Sequence, residues 1–369
     1  MSTARPSAGG EPRRELAAAA QPGVRPSRGR QAVLVAPRNL ELRDFDLPHP
    51  GPGEILIEVR CALSCGTDLK TFRRGHPMWP MPMPFGHEFS GVVAEVGPDA
   101  GDFKAGDPLM AAPTAPCGRC FHCLRGEENL CPQCMEKMLM GAYADYLLLP
   151  AHVVGRNTFR KPEDLPFEEA ALLEPLACVL HAQQMARPQS FETVLIIGAG
   201  AFGLLQMIAL RAAGVRQVVV AGRGKSRLAW AGTLGADQVI DVEREDLAEA
   251  VARLNGGVGP DLVIECTGQV AAWQDAFARV RRGGRAVFFG GCLPGTALSV
   301  DTRRMHYDNL TLLGPFHFRP RDVRAAFELL RDGKSGAGRI VNHRRSLSEI
   351  VDVFAMLERG EVLKCAVIP

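Results

Sequence analysis

Val194-Leu195-Ile196-Ile197-Gly198-Ala199-Gly200-Ala201-Phe202-Gly203 decides the fold class of this 369-residue chain. A short β-branched run ends in a GxGxxG pattern and opens an apolar helical stretch, Phe202–Ala213. In that setting the first glycine allows a tight turn and the second lets the backbone approach a pyrophosphate. The third, Gly203, lets helix pack on strand. Free N–H groups and the dipole at the helix start favour the anion. A structural Gly-rich turn or a methyltransferase nucleotide site would share these letters. The segments that follow favour a dinucleotide: Gln217–Val220, Ser226–Leu234, Gln238–Asp241, Leu262–Glu265 and Ala286–Phe289 keep a strand–helix alternation. That rhythm predicts an α/β unit with a doubly wound parallel sheet.

The choice of dinucleotide turns on the end of the second strand. An NAD site usually carries an acid there that grips the ribose hydroxyls. Here the chain reads Val220-Ala221-Gly222-Arg223-Gly224-Lys225-Ser226-Arg227, with no carboxylate and three cations. An arginine fork suits a 2′-phosphate that a carboxylate would repel. A solvated helix start is the plain alternative. The missing acid favours NADP(H) over NAD(H), with Gly222, Arg223 and Arg227 as candidate contacts.

Upstream the texture changes. Residues 1–30 are rich in Ala, Arg, Gly and Pro without an apolar leader core, and are expected to form a disordered extension. An organellar transit peptide is the rival, against which Glu11 and Glu15 count. From Gln31 to about residue 185 short alternating runs (Ala32–Val35, Ile55–Val59, Ser90–Val96, Tyr146–Leu149) lie between Gly and Pro, predicting an antiparallel, loop-rich module. After about residue 320 the chain is helical (Asp322–Arg331, Leu347–Glu358) and ends in a strand, Val362–Ile368. The formal charge is only +2, with no block of like charge, so a nucleic-acid partner has no footprint. No apolar run reaches the roughly 18 residues of a membrane span.

Eleven cysteines without a secretory signal point to metal rather than disulfides, and to a reducing cytoplasm. Cys117-x2-Cys120-x2-Cys123-x7-Cys131 gathers four thiols in the manner of a closed structural zinc site. The ferredoxin run spaces its fourth cysteine by three residues, which disfavours an iron–sulfur cluster. Cys134 reads as a spare thiol, or less readily a substitute ligand. Cys65-Gly66-Thr67-Asp68, Gly86-His87-Glu88 and Glu174-Pro175-Leu176 are dispersed, and each alone has a bland structural reading. The Met78–Pro84 run could line a cleft. His317 reads as a packed histidine, and Leu310–Leu313 as a strand able to pair across subunits.

Taken in order, Cys-Gly-Thr-Asp, Gly-His-Glu, the four-cysteine lobe, Glu-Pro-Leu and GxGxxG resemble the zinc-dependent medium-chain dehydrogenase/reductase (alcohol dehydrogenase) family. The Glu-Pro-Leu form is similar to its sorbitol and threonine dehydrogenase branch. The resemblance covers about residues 31–369. It implies a GroES-like β-rich catalytic domain over 31–187 with a structural-zinc lobe at about 113–135, and a Rossmann domain over 188–319. Residues 320–369 would return to the catalytic domain.

Cys65, His87 and Glu88 would then hold a catalytic zinc, with Glu174 as fourth ligand or as the carboxylate holding zinc-bound water. Thr67 would relay the hydroxyl proton. Lys70 stands where the family often has a histidine, so the outer end of the relay is open. Thr267 and Gly290, in Cys266-Thr267-Gly268 and Phe289-Gly290-Gly291, would lie where nicotinamide binds. The implied reaction is hydride transfer between NADP(H) and a secondary alcohol, polyol or sugar, with an NAD-linked polyol or threonine dehydrogenase as alternative. A homodimer or homotetramer is expected. A non-catalytic dinucleotide-binding protein on the same fold would have no need of Cys65, Thr67, His87, Glu88 and Glu174 together.

Overall fold

The computed structural model describes residues 26–369. Residues 1–25 of the expected extension lie outside the described residues. Its remainder is corrected: Arg28–Arg30 already belong to a strand, Arg28–Ala36, running antiparallel to Asn39–Asp46. The strand reaches back this far because Arg30 is held: its Nε and Nη2 donate to the Asp145 carboxylate at 3.0 and 2.8 Å.

Six parallel strands form one sheet in the order Gln238–Asp241, Gln217–Gly222, Thr193–Ile197, Leu262–Glu265, Arg285–Phe288, Thr311–Leu313. Thr193–Ile197 and Leu262–Glu265 are buried along their whole length, as central strands covered on both faces must be. The strand order reverses between these two, and the crevice above such a reversal is where a doubly wound sheet binds its ligand. The GxGxxG turn and the Cys266 turn flank it.

A seven-stranded sheet is built from both ends of the chain. Ile55–Leu63 pairs antiparallel with Glu88–Val96, Tyr146–Leu149 and Lys364–Ile368. Lys364–Ile368 in turn lies parallel to Val341–Ser346, a strand that polar letters (VNHRRS) conceal in the sequence. A small sheet joins Arg28–Ala36 to Asn39–Asp46 and Met83–Pro84. Within the Met/Pro run Met83 is buried and Trp79 and Met81 rest on the same core as Phe72 and Phe85, whereas Met78 and the three prolines are exposed.

The expected loop-rich stretch near residue 185 is corrected by a 14-residue helix, Leu173–Ala186. Its sequence LEPLACVLHAQQMA has no continuous polar face because it is packed on several sides. One core cluster joins its Leu173, Leu176, Val179 and Ala182 to Leu63 and Met110 of the seven-stranded sheet. The same cluster takes in Ile196 and Val220 of the parallel sheet, and Leu204 and Ile208 of the helix Ala201–Ala212. Helix Pro320–Arg331 is pinned there too: buried Asp322 accepts from Arg319 at 3.0 Å and meets His181 Nδ1 at 2.8 Å.

Helix Ala201–Ala212 sits tight on its strand because residue 203 has no side chain. A Cβ at Gly203 would lie 1.8 Å from the Gly198 carbonyl oxygen. Gly203→Ala is expected to cost roughly 1–3 kcal/mol through overpacking. A melting midpoint equal to that of the parent protein would show that the turn can relax instead.

Candidate active site

Strand register builds the first cluster. Leu63 on Ile55–Leu63 pairs with Glu88 on Glu88–Val96, so Cys65, just past one strand, faces His87 and Glu88 at the start of the other. Cys65 caps the helix Gly66–Arg74, its Sγ accepting the Thr67 N–H at 3.4 Å. One donor atom from each of Cys65, His87 and Glu88 lies within 4.8 Å of the other two, and all three residues are buried. Aspartate at position 68 orients the imidazole: Oδ1 meets His87 Nδ1 at 2.9 Å, while Oδ2 accepts the Tyr143 hydroxyl at 2.6 Å. With Nδ1 engaged, Nε2 is the nitrogen left for the cluster. Burial pulls the His87 pKa down, but the Asp68 carboxylate and the Cys65 sulfur outweigh it and hold it well above the usual histidine range.

Glu88 is wholly buried. One carboxylate oxygen is ion-paired with Lys364, whose Nζ also donates to the Ser64 carbonyl at 3.1 Å. The other, Oε1, has no hydrogen-bond partner. A buried carboxylate oxygen left bare beside a thiol and an imidazole fits a metal of borderline softness such as zinc. Burial raises the Cys65 pKa and Glu88 raises it further, so the thiolate needs a cation to form.

Glu174, in the first turn of Leu173–Ala186, is a neighbour of this cluster and not a member of the 4.8 Å group. Burial pushes its pKa up to about 7, and the Cys178 thiol donates to Oε1 at 3.6 Å. Thr67 and Lys70 are exposed on the Cys65-capped helix. Lys70 Nζ reaches across to the parallel-sheet unit and donates to the Gly291 carbonyl at 3.4 Å. His317 is packed, with Nε2 2.7 Å from Thr114 Oγ1, and burial pushes its pKa down to about 4.

Cys117, Cys120, Cys123 and Cys131 form the second group, again with sulfurs within 4.8 Å of one another. Backbone N–H groups converge on it: Arg119 donates to Cys117 Sγ at 3.5 Å and Cys117 to Cys131 Sγ at 3.4 Å. Cys134 stands outside it, its thiol turned to the Glu128 carbonyl at 3.6 Å.

A cavity of about 620 Å³ lies over the reversal point of the parallel sheet. Gly198, Gly200, Gly222, Arg223, Arg227 and Thr267 line it. Ala201, Phe202, Gly203 and Gly290 shape it from behind. Ala201 starts the helix, and Phe202 packs on Phe289 with ring centroids 5.0 Å apart. Any Cβ at Gly290 would strike the Gly268 nitrogen at 2.2 Å. Three acids not singled out from the sequence, Glu245, Asp246 and Asp275, also line the cavity. Each is engaged: Glu245 with Arg253, Asp275 with Arg279, and Asp246 as the cap of the helix Leu247–Ala252. Arg223 has no ion-pair partner among the described residues, whereas Arg227 donates to the Gly360 carbonyl at 3.2 Å. Glu265, also not singled out, is buried beneath the Thr267 and Gly290 turns.

Sequence reasoning missed Asp68, Tyr143 and Lys364. Asp68 alone left a signal, one helical turn after Cys65. Asp68→Asn is expected to weaken divalent-metal affinity of the Cys65 cluster about 10–100-fold. The four-cysteine group should keep its own, as chelator competition at each site would show.

Residues 51–158 match the alcohol dehydrogenase GroES-like domain and residues 201–332 the zinc-binding dehydrogenase domain. An L-threonine 3-dehydrogenase of Bacillus velezensis is 31% identical over 89% of this chain and 95% of its own length. A D-altritol 5-dehydrogenase of Agrobacterium fabrum is 33% identical over 85% and 90%. Among solved structures, a zinc-binding dehydrogenase of Sinorhizobium meliloti bound to NADP superposes with a TM-score of 0.85. It is 30% identical and covers 93% of this chain and 100% of that one. The chain therefore belongs to the zinc-dependent medium-chain alcohol dehydrogenase family and is an oxidoreductase of that family.

Proposed function

We propose that the protein transfers hydride between NADP(H) and a secondary alcohol, polyol or sugar, or the corresponding ketone. The observation that carries this reading is the buried Cys65–His87–Glu88 cluster, with Thr67 two residues beyond Cys65, in one chain with the glycine-lined cavity over the parallel sheet. Lys70, on the Cys65-capped helix, reaches the parallel-sheet unit at Gly291. Cys65, His87 and Glu88 would hold the catalytic zinc, and Cys117, Cys120, Cys123 and Cys131 a structural one. Bound there, zinc supplies a Lewis acid for the substrate oxygen and the nicotinamide supplies the hydride acceptor or donor.

The chain's own groups do the rest. Three protein donors suit an open zinc site, and Glu174, its pKa pushed up to about 7, would serve as a fourth ligand or hold water or the substrate hydroxyl beside it. Thr67, exposed and two residues beyond Cys65, passes the hydroxyl proton outward. Lys70 fixes the loop on which the nicotinamide rests. Arg223, unpaired at the mouth of the cavity, reads the 2′-phosphate. A second reading, NAD(H), is favoured by Glu243, whose Oε2 accepts the Gly224 N–H at 3.2 Å and brings an acid close to the same ribose. Among the described residues the outer edge of Thr311–Leu313 carries no further strand, which suits pairing with a second copy in a homo-oligomer. Eleven free cysteines suit the cytoplasm. Among the described residues no helix is long and apolar enough to cross a membrane.

Titration with NADPH and NADH decides the cofactor. Arg223→Ala is expected to lower NADPH affinity about 10-fold or more, the loss of one charge-assisted phosphate contact, and to leave NADH unchanged. Tighter binding of NADH by the parent protein would transfer the assignment to NAD. Metal analysis should give two zinc ions per chain. Cys65→Ser should abolish turnover with the lobe zinc retained, and Cys131→Ser should lose the lobe zinc and lower the melting midpoint. Full turnover by Cys65→Ser would remove the metal from the chemistry.

A further inference from the structure

Glu265 ends the strand Leu262–Glu265 at the reversal point and is completely buried. One of its carboxylate oxygens, Oε1, accepts three hydrogen bonds from the turn that follows. They come from the Thr267 N–H at 2.5 Å, the Thr267 hydroxyl at 2.5 Å and the Gly268 N–H at 2.9 Å. The other oxygen, Oε2, has no partner and faces Gly290, where even a methyl group would stand 3.0 Å away. Burial works against the charged form and raises the carboxyl pKa from its ordinary value, while the Thr267 hydroxyl and the Thr267 and Gly268 N–H groups favour it. The ionised carboxylate is thus held by peptide and hydroxyl dipoles that offset its charge only in part.

The position of this charge matters because of what lies above it. Thr267 lines the cofactor cavity, and the turn at Gly290–Gly291 meets Lys70, which shares a helix with Thr67 and the Cys65 cap. On the proposed function, hydride passes between a substrate beside Cys65 and a nicotinamide on the Thr267 and Gly290 turns. The reacting ring then sits over Glu265. Oxidised nicotinamide is a cation and the reduced ring is neutral. A fixed buried anion therefore discriminates between two cofactors of nearly identical shape. The opposing cation, Lys70, is exposed and screened by solvent.

We infer that Glu265 is a positioning residue with a second role: it holds the two cofactor turns together and weights the site toward the oxidised cofactor. This rests on the proposed function.

Calorimetric titration of the zinc-loaded protein with NADP+ and with NADPH tests it through the ratio of their dissociation constants. Glu265→Gln keeps the shape and an acceptor but removes the charge. It is expected to reduce the preference for the oxidised form about tenfold, the effect of a unit charge across roughly 12 Å at an effective dielectric of about 20. Glu265→Asp keeps the charge, so both constants should weaken with their ratio held. Equal weakening of both forms by Glu265→Gln would overturn the inference and leave a purely structural carboxylate. Should Glu265→Gln not fold, Thr267→Val decides. It strips a donor from Oε1, leaves the charge less compensated and is expected to raise the preference, so an unmoved ratio would overturn the inference. A parent protein that binds neither form would instead refute the proposed function itself.

Discussion

The apolar seam around the helix Leu173–Ala186 is the constraint on which both halves of the molecule depend. Leu63 and Met110 reach it from the seven-stranded sheet, Ile196 and Val220 from the parallel sheet, and Leu204 and Ile208 from the helix behind the glycine turn. Burial of this kind is roughly proportional to apolar area and has no directional preference. Direction comes from the few polar groups embedded in it. His181 and Arg319 both engage Asp322, and Gln183 donates to Gln206 across two helices at 2.9 Å. These contacts fix the rotation of Leu173–Ala186, and that rotation delivers Glu174 to the neighbourhood of His87 and Glu88. One helix thus sets the distance between the Cys65–His87–Glu88 cluster on one sheet and the glycine-lined crevice on the other.

Charge within that cluster is tolerated because nearly every group has a designated partner. Asp68 is satisfied by His87 and Tyr143, and Lys364 by Glu88 and the Ser64 carbonyl. A half-satisfied buried network is worse than none. The bare Oε1 of Glu88 is therefore informative: it is a buried acceptor that no described residue satisfies. At Glu265 the same pattern recurs in a turn of peptide N–H groups, where one carboxylate oxygen is held by several donors and the other, facing Gly290, is bare.

Local rules carried the reading of the parallel unit a long way. Gly198, Gly200 and Gly203 could be assigned distinct tasks because a tight turn, a backbone approach and a helix contact each exclude a Cβ. The close fit of Gly203 to the Gly198 carbonyl bears out the helix contact. Cysteine spacing likewise sufficed for the lobe, since Cys117, Cys120, Cys123 and Cys131 lie within a single loop. Legibility ended where pairing is non-local. Cys65 meets His87 only through the Leu63–Glu88 register, and nothing near Lys364 or Tyr143 in the sequence announces Asp68 or Glu88. Helix Leu173–Ala186 escaped because a segment buried on several sides loses the amphipathic period. The strand Val341–Ser346 escaped because its polar letters imitate a loop. Glu245 and Asp246 enter the cavity from the turn after Gln238–Asp241 and Asp275 from the helix Val270–Arg279, so the absence of an acid beside Arg223 described only one wall.

The ion pair between Glu88 and Lys364 also bears on the order of assembly. Its partners are 276 residues apart, and the strands of the whole parallel sheet lie between them in the chain. That sheet draws on one contiguous stretch, from Thr193 to Leu313, and can form as a unit when that stretch has been synthesised. The seven-stranded sheet must wait for Val341–Ser346 and Lys364–Ile368. During synthesis the crevice over the parallel sheet is therefore complete first, and Glu88 spends that interval without its counter-charge. The last strand to dock brings Lys364 and completes the buried cluster.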